Sequence, residues 1–135
     1  MKEETKELIE IANSHLNSAK NSFKIEDYKS TCFWAQQSIE LFIKAYMVEK
    51  GIFNPKRHKT HNLRILISDC AKIDEDFKQF LIDEIDMIAL YASLSRYDIK
   101  FIKDIEKNKR KAEISIEIAE KVKEFVLNKL KEKLE

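Results

Sequence analysis

Three groups of residues in this chain carry side chains suited to recognising or transforming a ligand. Gln37, Glu40 and Lys44 recur three and four positions apart, which aligns them along one stripe of a helix that turns by about 100° per residue. Gln can present donor and acceptor edges to a base, Glu can accept from ribose hydroxyls or base amines, and Lys can meet a phosphate. His61 supplies an imidazole, the side chain best suited to acid or base work near neutrality. Arg96, Tyr97 and Asp98 stand together, with Arg96 able to grip a phosphate and Tyr97 to stack on a base. Each group also has a plainer reading. Glu40 and Lys44 are spaced as an i,i+4 ion pair that seals packing or a dimer seam, His61 can reach a backbone carbonyl, and Arg96 and Asp98 can tie a loop to a neighbouring helix.

No metal site is expected. His58 and His61 are three apart, but no Cys or carboxylate cluster accompanies them. Cys32 and Cys70 are far apart and show no C-x-x-C spacing, so both read as buried free thiols. The chain holds a single Gly, which leaves no glycine-rich loop to cradle a phosphate, and no cofactor is implied.

The elements that must position these residues are helices. One Gly and one Pro in 135 residues leave almost no turn punctuation. Leu8, Ile9, Ala12, Leu16, Ala19 and Phe23 mark a first amphipathic helix over residues 3–23. The second, over 27–50, is apolar on nearly every side except the stripe of Gln37, Glu40 and Lys44, so it is central and needs cover from several neighbours. Gly51 ends it, and Asn54-Pro55 delays re-entry, giving a loop of about ten residues. Thr60 or Asn62 caps a short helix carrying Leu63, Leu66 and Ile67 to about residue 70. Asp74, Glu75 and Asp76 then open a fourth helix with the stripe Phe77, Leu81, Ile85, Ile88 and Ala92. Residues 93–106 have weaker periodicity, and a last helix over 108–134 carries Ala112, Ile116, Ala119, Val122 and Val126. The expected fold is all-α: one domain over 1–135, an antiparallel up-and-down four-helix bundle with one additional short helix.

Charge narrows the function classes. With Lys plus Arg at 25 and Asp plus Glu at 24, binding of nucleic acid by bulk charge is disfavoured. Local basic patches remain at residues 100–111 and 55–59, each also readable as a solvated connector. No apolar run approaches a membrane span and the N-terminal MKEETKELIE is charged, so a cytoplasmic protein is expected.

Three motifs in order resemble the HEPN family, the higher eukaryotes and prokaryotes nucleotide-binding domains. They are the double Gln in AQQSIELFIKA from Ala35, the THNLRIL segment from Thr60, and SRYD from Ser95. The preceding ANSHLNSAKNSFKIEDYKSTCFWAQQ, a helix and a Tyr-containing turn before the double Gln, is also similar. The resemblance implies a small helical bundle that commonly forms a symmetric homodimer. It also implies partnership with a minimal nucleotidyltransferase in toxin and antitoxin-like pairs, and binding of a nucleotide or RNA. Some members of the wider superfamily are metal-independent RNases in which four to six residues stand between an Arg and the His that follows it. Here Arg57 and His61 are separated by only three residues, and no His follows Arg96. The family's Pro after Arg-Tyr is Asp98 in this chain. The expectation is therefore a binding module with Gln37, Glu40, Lys44, His61, Arg96, Tyr97 and Asp98 facing ligand or partner. An RNase toxin, with His61 and Arg96 as its candidates, and a helical scaffold without a small-molecule ligand are the alternatives.

Overall fold

A computed structural model describes residues 1–94 and 105–132 of the chain. These residues form helices α1 (Glu3–Lys24), α2 (Tyr28–Glu49), α3 (Leu63–Ala71), α4 (Asp83–Leu94) and α5 (Ile105–Glu132), with a 3-10 helix over Glu75–Phe80. No strand occurs among the described residues, as the scarcity of Gly and Pro and the three- and four-residue apolar steps predict.

The ends of α2 form where local chemistry sets them. The Asp27 side chain accepts from the Ser30 N–H at its start. At its end Gly51 adopts φ 72°, with its N–H bonded to the Val48 carbonyl and the Ile52 N–H to that of Met47. That double closure satisfies carbonyls the helix would otherwise leave open. The start of α1 has no such local device, because Lys2 offers no side-chain cap. Glu49, at the far end of α2, supplies it: one carboxylate oxygen accepts from the Lys2 N–H at 2.9 Å and the Thr5 hydroxyl at 3.0 Å. A negative group there also suits the positive end of the helix dipole.

α1 and α2 run antiparallel. Ser38 donates to the Ala12 carbonyl across them at 2.9 Å, and the His15 and Trp34 rings lie 4.9 Å apart. The turn between the helices reverses at Glu26, with φ 60°. α5 packs on the other flank of α2, and α3 and α4 touch it as well. Fifteen of the 22 residues of α2 are therefore buried. The cover that its all-round apolar surface demands comes from the chain's own helices.

The expected continuous fourth helix is instead two elements. Asp74 accepts from the Asp76 N–H and starts a 3-10 helix, whose three-residue repeat puts Phe77 and Phe80 on one face. Both are buried, and Phe77 meets Tyr46 at 4.6 Å and Phe125 at 4.8 Å between ring centroids. Leu81, at ψ 64°, ends this helix, and α4 starts afresh with Asp83, Glu84 and Asp86 in its first turn. Helical spacing could not distinguish the cases, because Phe77, Ile85 and Ile88 reach the core either way. Lys129 on α5 clasps Asp74 at 3.0 Å and Asp76 at 2.6 Å, which holds the 3-10 helix down.

The loop after α2 is pinned to α3 by one carboxylate. Asp69 receives Arg57 through two hydrogen bonds at 2.5 and 3.0 Å and His58 Nε2 at 2.7 Å. The Asn54 N–H donates to His58 Nδ1 at 2.8 Å, so the ring is neutral with its hydrogen on Nε2. Arg57 and His58, read above as part of a basic patch, thus serve to dock the loop. Burial pushes the Cys32 thiol up to about 11 and the Cys70 thiol up to about 12, leaving both unreactive.

Two outcomes follow from this packing. Phe77→Ala removes an aromatic ring fully buried against two others and lowers unfolding free energy by about 3–5 kcal/mol, read from urea denaturation. The Arg57 guanidinium, aided by His58 and Lys72, holds the Asp69 carboxyl well below the usual carboxylate range. Its contribution to stability is complete above the unfolded value of about 3.9 and is lost as pH falls from there toward the folded value. Asp69→Asn removes that part of the acid dependence and lowers stability at neutral pH, so its melting temperature falls less than the parent's between pH 5 and pH 3.

Candidate functional site

Glu40 lies on the face of α2 turned toward the start of α3, and only 3% of it is exposed. A carboxylate so buried requires partners, and it has them on both oxygens. Lys44 Nζ, one turn further along α2, donates to Oε2 at 3.0 Å. The ring of His61, from the loop just before α3, meets Oε1 through Nδ1 at 2.8 Å. A third link comes from Gln36, whose amide donates to the His61 backbone carbonyl at 3.3 Å. One turn of α2 therefore grips His61 at both its ring and its main chain.

Local structure explains how His61 arrives there. The Thr60 hydroxyl accepts from the Asn62 N–H at 3.0 Å, and the Asn62 side chain accepts from the Ile65 N–H at 3.3 Å, capping α3. Both candidate cap residues are in use, Thr60 shaping the turn and Asn62 closing the helix. Leu63, Leu66 and Ile67 bury the apolar face of α3 and fix the distance from the turn to α2.

The site is buried at its base and open at its rim. The His61 side chain is 73% exposed, that of Lys44 12%. Because a carboxylate only accepts, Nδ1 of His61 carries the hydrogen and donates it to Glu40. Nε2 is left as the outward-facing ring nitrogen. Burial lowers the His15 imidazole on α1 below its ordinary value, and the Glu40 carboxylate opposes that in part. A groove of about 340 Å³ begins at Asn62, the residue after His61, and runs between α3 and α4 past Arg64, Asp86, Ala89 and Leu90. Arg64 is clamped there by Asp86 at 2.6 Å. A larger hollow of about 600 Å³, lined by Ala71, Lys72, Ile73 and Lys78, contains none of the residues the sequence singled out.

Of the sequence candidates, Glu40, Lys44 and His61 are brought together. Gln37 is half-buried, and no hydrogen bond joins it to this network. Its neighbour Gln36 does take part. Reading the stripe at three and four residue steps selected Gln37, and the signal for Gln36 was only the doubled Gln itself. Arg96, Tyr97 and Asp98 lie outside the described residues, as do residues 100–104 of the basic stretch over residues 100–111. Trp34 and Phe33 are half-buried, their rings meet edge-on, and Trp34 also meets the His15 ring, in keeping with a packing role. Among the described residues no group of three His, Cys, Asp or Glu side chains is placed to hold a metal ion.

With this arrangement established, comparison with protein families matches the HEPN domain over residues 5–131. The match spans nearly the whole chain, and the protein belongs to the HEPN domain family. Comparison with curated proteins and with solved structures finds no match. No helix among the described residues is long and apolar enough to cross a membrane.

The two ends of the Glu40 network respond differently to truncation. Glu40→Ala leaves a half-buried ammonium without its mate and costs about 3 kcal/mol of unfolding free energy. His61→Ala removes one hydrogen bond at the surface and costs about 1 kcal/mol. Chemical denaturation of both variants, fitted with a common slope, checks the ordering.

Proposed function

We propose that this HEPN chain is a binding module that takes a nucleotide or RNA on the face where His61 and Lys44 rise from Glu40. The observation that carries this reading is the buried Glu40 carboxylate itself. An apolar residue of similar volume would pack that position without a desolvation penalty, whereas Glu40 holds an exposed imidazole in one orientation. Lys44 adds positive charge at the rim for a phosphate. Arg96, Tyr97 and Asp98 follow α4, which lines the adjoining groove, and are proposed as further contacts to the same ligand.

Binding is favoured over RNA cleavage by where the arginines go. Among the described residues Arg57 pairs with Asp69, Arg64 with Asp86 and Arg110 with Glu113, and none accompanies His61. The larger setting is proposed on family membership: a symmetric homodimer, associated with a minimal nucleotidyltransferase in a toxin and antitoxin-like pair, in the cytoplasm. Within each chain α1, α2, α4 and α5 are read as an antiparallel up-and-down four-helix bundle with α3 as the additional short helix. The contacts of α2 with α1, α4 and α5, and of α4 with α5, support that reading. Exposed Ile11 and Leu90 offer apolar surface to a second copy.

Titration calorimetry with a mononucleotide and with a short single-stranded RNA tests the binding role. His61→Ala and Arg96→Ala each weaken affinity by about tenfold, a loss of about 1.4 kcal/mol, while the unfolding midpoint stays within a few degrees of the parent's. Unchanged affinity in both variants, or no binding by the parent chain, overturns the reading. Light scattering at micromolar concentration returns twice the chain mass if the dimer is correct, and the single-chain mass refutes it.

A further inference from the structure

The chain has three histidines, and their ring nitrogens are in three different conditions. His58 is 4% exposed and uses both nitrogens, accepting from the Asn54 N–H and donating to Asp69. His15 is half-buried, with its ring against Trp34. His61 alone combines an exposed ring with one nitrogen held by a carboxylate and the other facing out. A free neutral imidazole prefers its hydrogen on Nε2, which hides that lone pair. Glu40 reverses the preference, because it accepts only and so keeps the hydrogen on Nδ1. In the neutral ring the lone pair is then on Nε2. It stands on a stretch, from Lys50 to Ser68, that contains five Lys or Arg residues and no Asp or Glu. Arg57 and Arg64 are paired with carboxylates, which leaves Lys56 and Lys59 as exposed cations of the loop beside His61.

We propose that His61 is a phosphoryl-acceptor site, its Nε2 being the nucleophile toward a small activated phosphoryl donor, with Glu40 as the positioning residue. The Nε2 lone pair forms the N–P bond as the bond from phosphorus to the leaving group breaks, and the leaving group departs with the bonding electrons. With phosphoramidate as donor, the leaving group is ammonia. The ring keeps its hydrogen on Nδ1 and gains positive charge, which the Glu40 carboxylate 2.8 Å away stabilises. This is covalent chemistry that goes beyond the binding role, and it does not require that a nucleotide bind.

Glu40→Gln is the informative variant because Lys44 decides how the new amide turns. Lys44 has donors only, so it takes the amide oxygen, and the amide N–H₂ then faces His61 Nδ1. Nδ1 must accept, the ring hydrogen moves to Nε2, and the nucleophilic lone pair is lost while the shape of the site is kept. The folded protein is treated with potassium phosphoramidate and followed by mass spectrometry and phosphorus NMR. The expected result is one phosphoryl group, on Nε2 of His61, with His15 and His58 unlabelled. In Glu40→Gln the rate falls by about tenfold or more. Labelling of His61 on Nδ1, first labelling at His15, or an unchanged rate in a folded Glu40→Gln protein overturns the proposal. Should that variant not fold, two measurements on the parent chain decide instead. Long-range hydrogen–nitrogen correlation must place the His61 hydrogen on Nδ1, and labelling must be faster in the folded chain than in urea; either result reversed refutes the site. Nucleotide titration of the parent chain is read separately, so failure of the binding role and failure of this site are distinguishable.

Discussion

A carboxylate placed inside the most enclosed helix of a small protein has to be surrounded by donors, and much of the architecture around Glu40 answers that requirement. α2 is covered by α1, α3, α4 and α5, so water cannot serve as the missing partner. Lys44 answers from the same helix one turn away, which any helix of this sequence would permit. The second answer, His61, comes from outside and depends on the loop being held. That loop is tied by Asp69 to α3, and α3 is seated by Leu63, Leu66 and Ile67. Two carboxylates, one buried in α2 and one on α3, thus set where the outward imidazole stands.

Placement on two carboxylates also separates two histidines that the sequence sets only three positions apart. His58 is turned inward as a structural tie with both nitrogens in use, and His61 is turned outward with one nitrogen free. Two residues of one type, in one short loop, therefore stand in different chemical conditions because their nitrogens meet different partners. The same division holds for the arginines of the described residues, which brace loops and helix surfaces and leave His61 without a guanidinium beside it. Among the described residues that face presents one oriented imidazole and one rim ammonium, which is chemically suited to holding an anionic ligand.

The positions of the helices were largely legible in the residues, because apolar periodicity and caps act over a few residues. Asp27, Asn62 and Gly51 do at their helix ends what their side chains or the absence of one predict. The family was legible as well, through the ordered combination of the double Gln, the Thr-His-Asn-Leu segment and the Ser-Arg-Tyr-Asp segment, and it is shown by the match over residues 5–131. What depended on distant contacts was not legible. The 3-10 helix over Glu75–Phe80 forms where Phe77 and Phe80 meet Tyr46 and Phe125 and where Lys129 clasps two aspartates, and none of those partners is local. Helix α1 likewise takes its N-terminal cap from Glu49, 44 residues beyond Thr5.

For the site itself, the amino-acid sequence determined that Glu40 and Lys44 share a helix face and that His61 precedes a capped helix. Those are consequences of a 3.6-residue repeat and of side chains acting on nearby backbone. Only the tertiary structure decided that His61 and Glu40 touch, that Gln36 and not Gln37 holds the loop, and which nitrogen of His61 faces outward. The physical reason is that a hydrogen bond across 21 residues exists when packing brings its two ends within about 3 Å, and no local pattern encodes that approach.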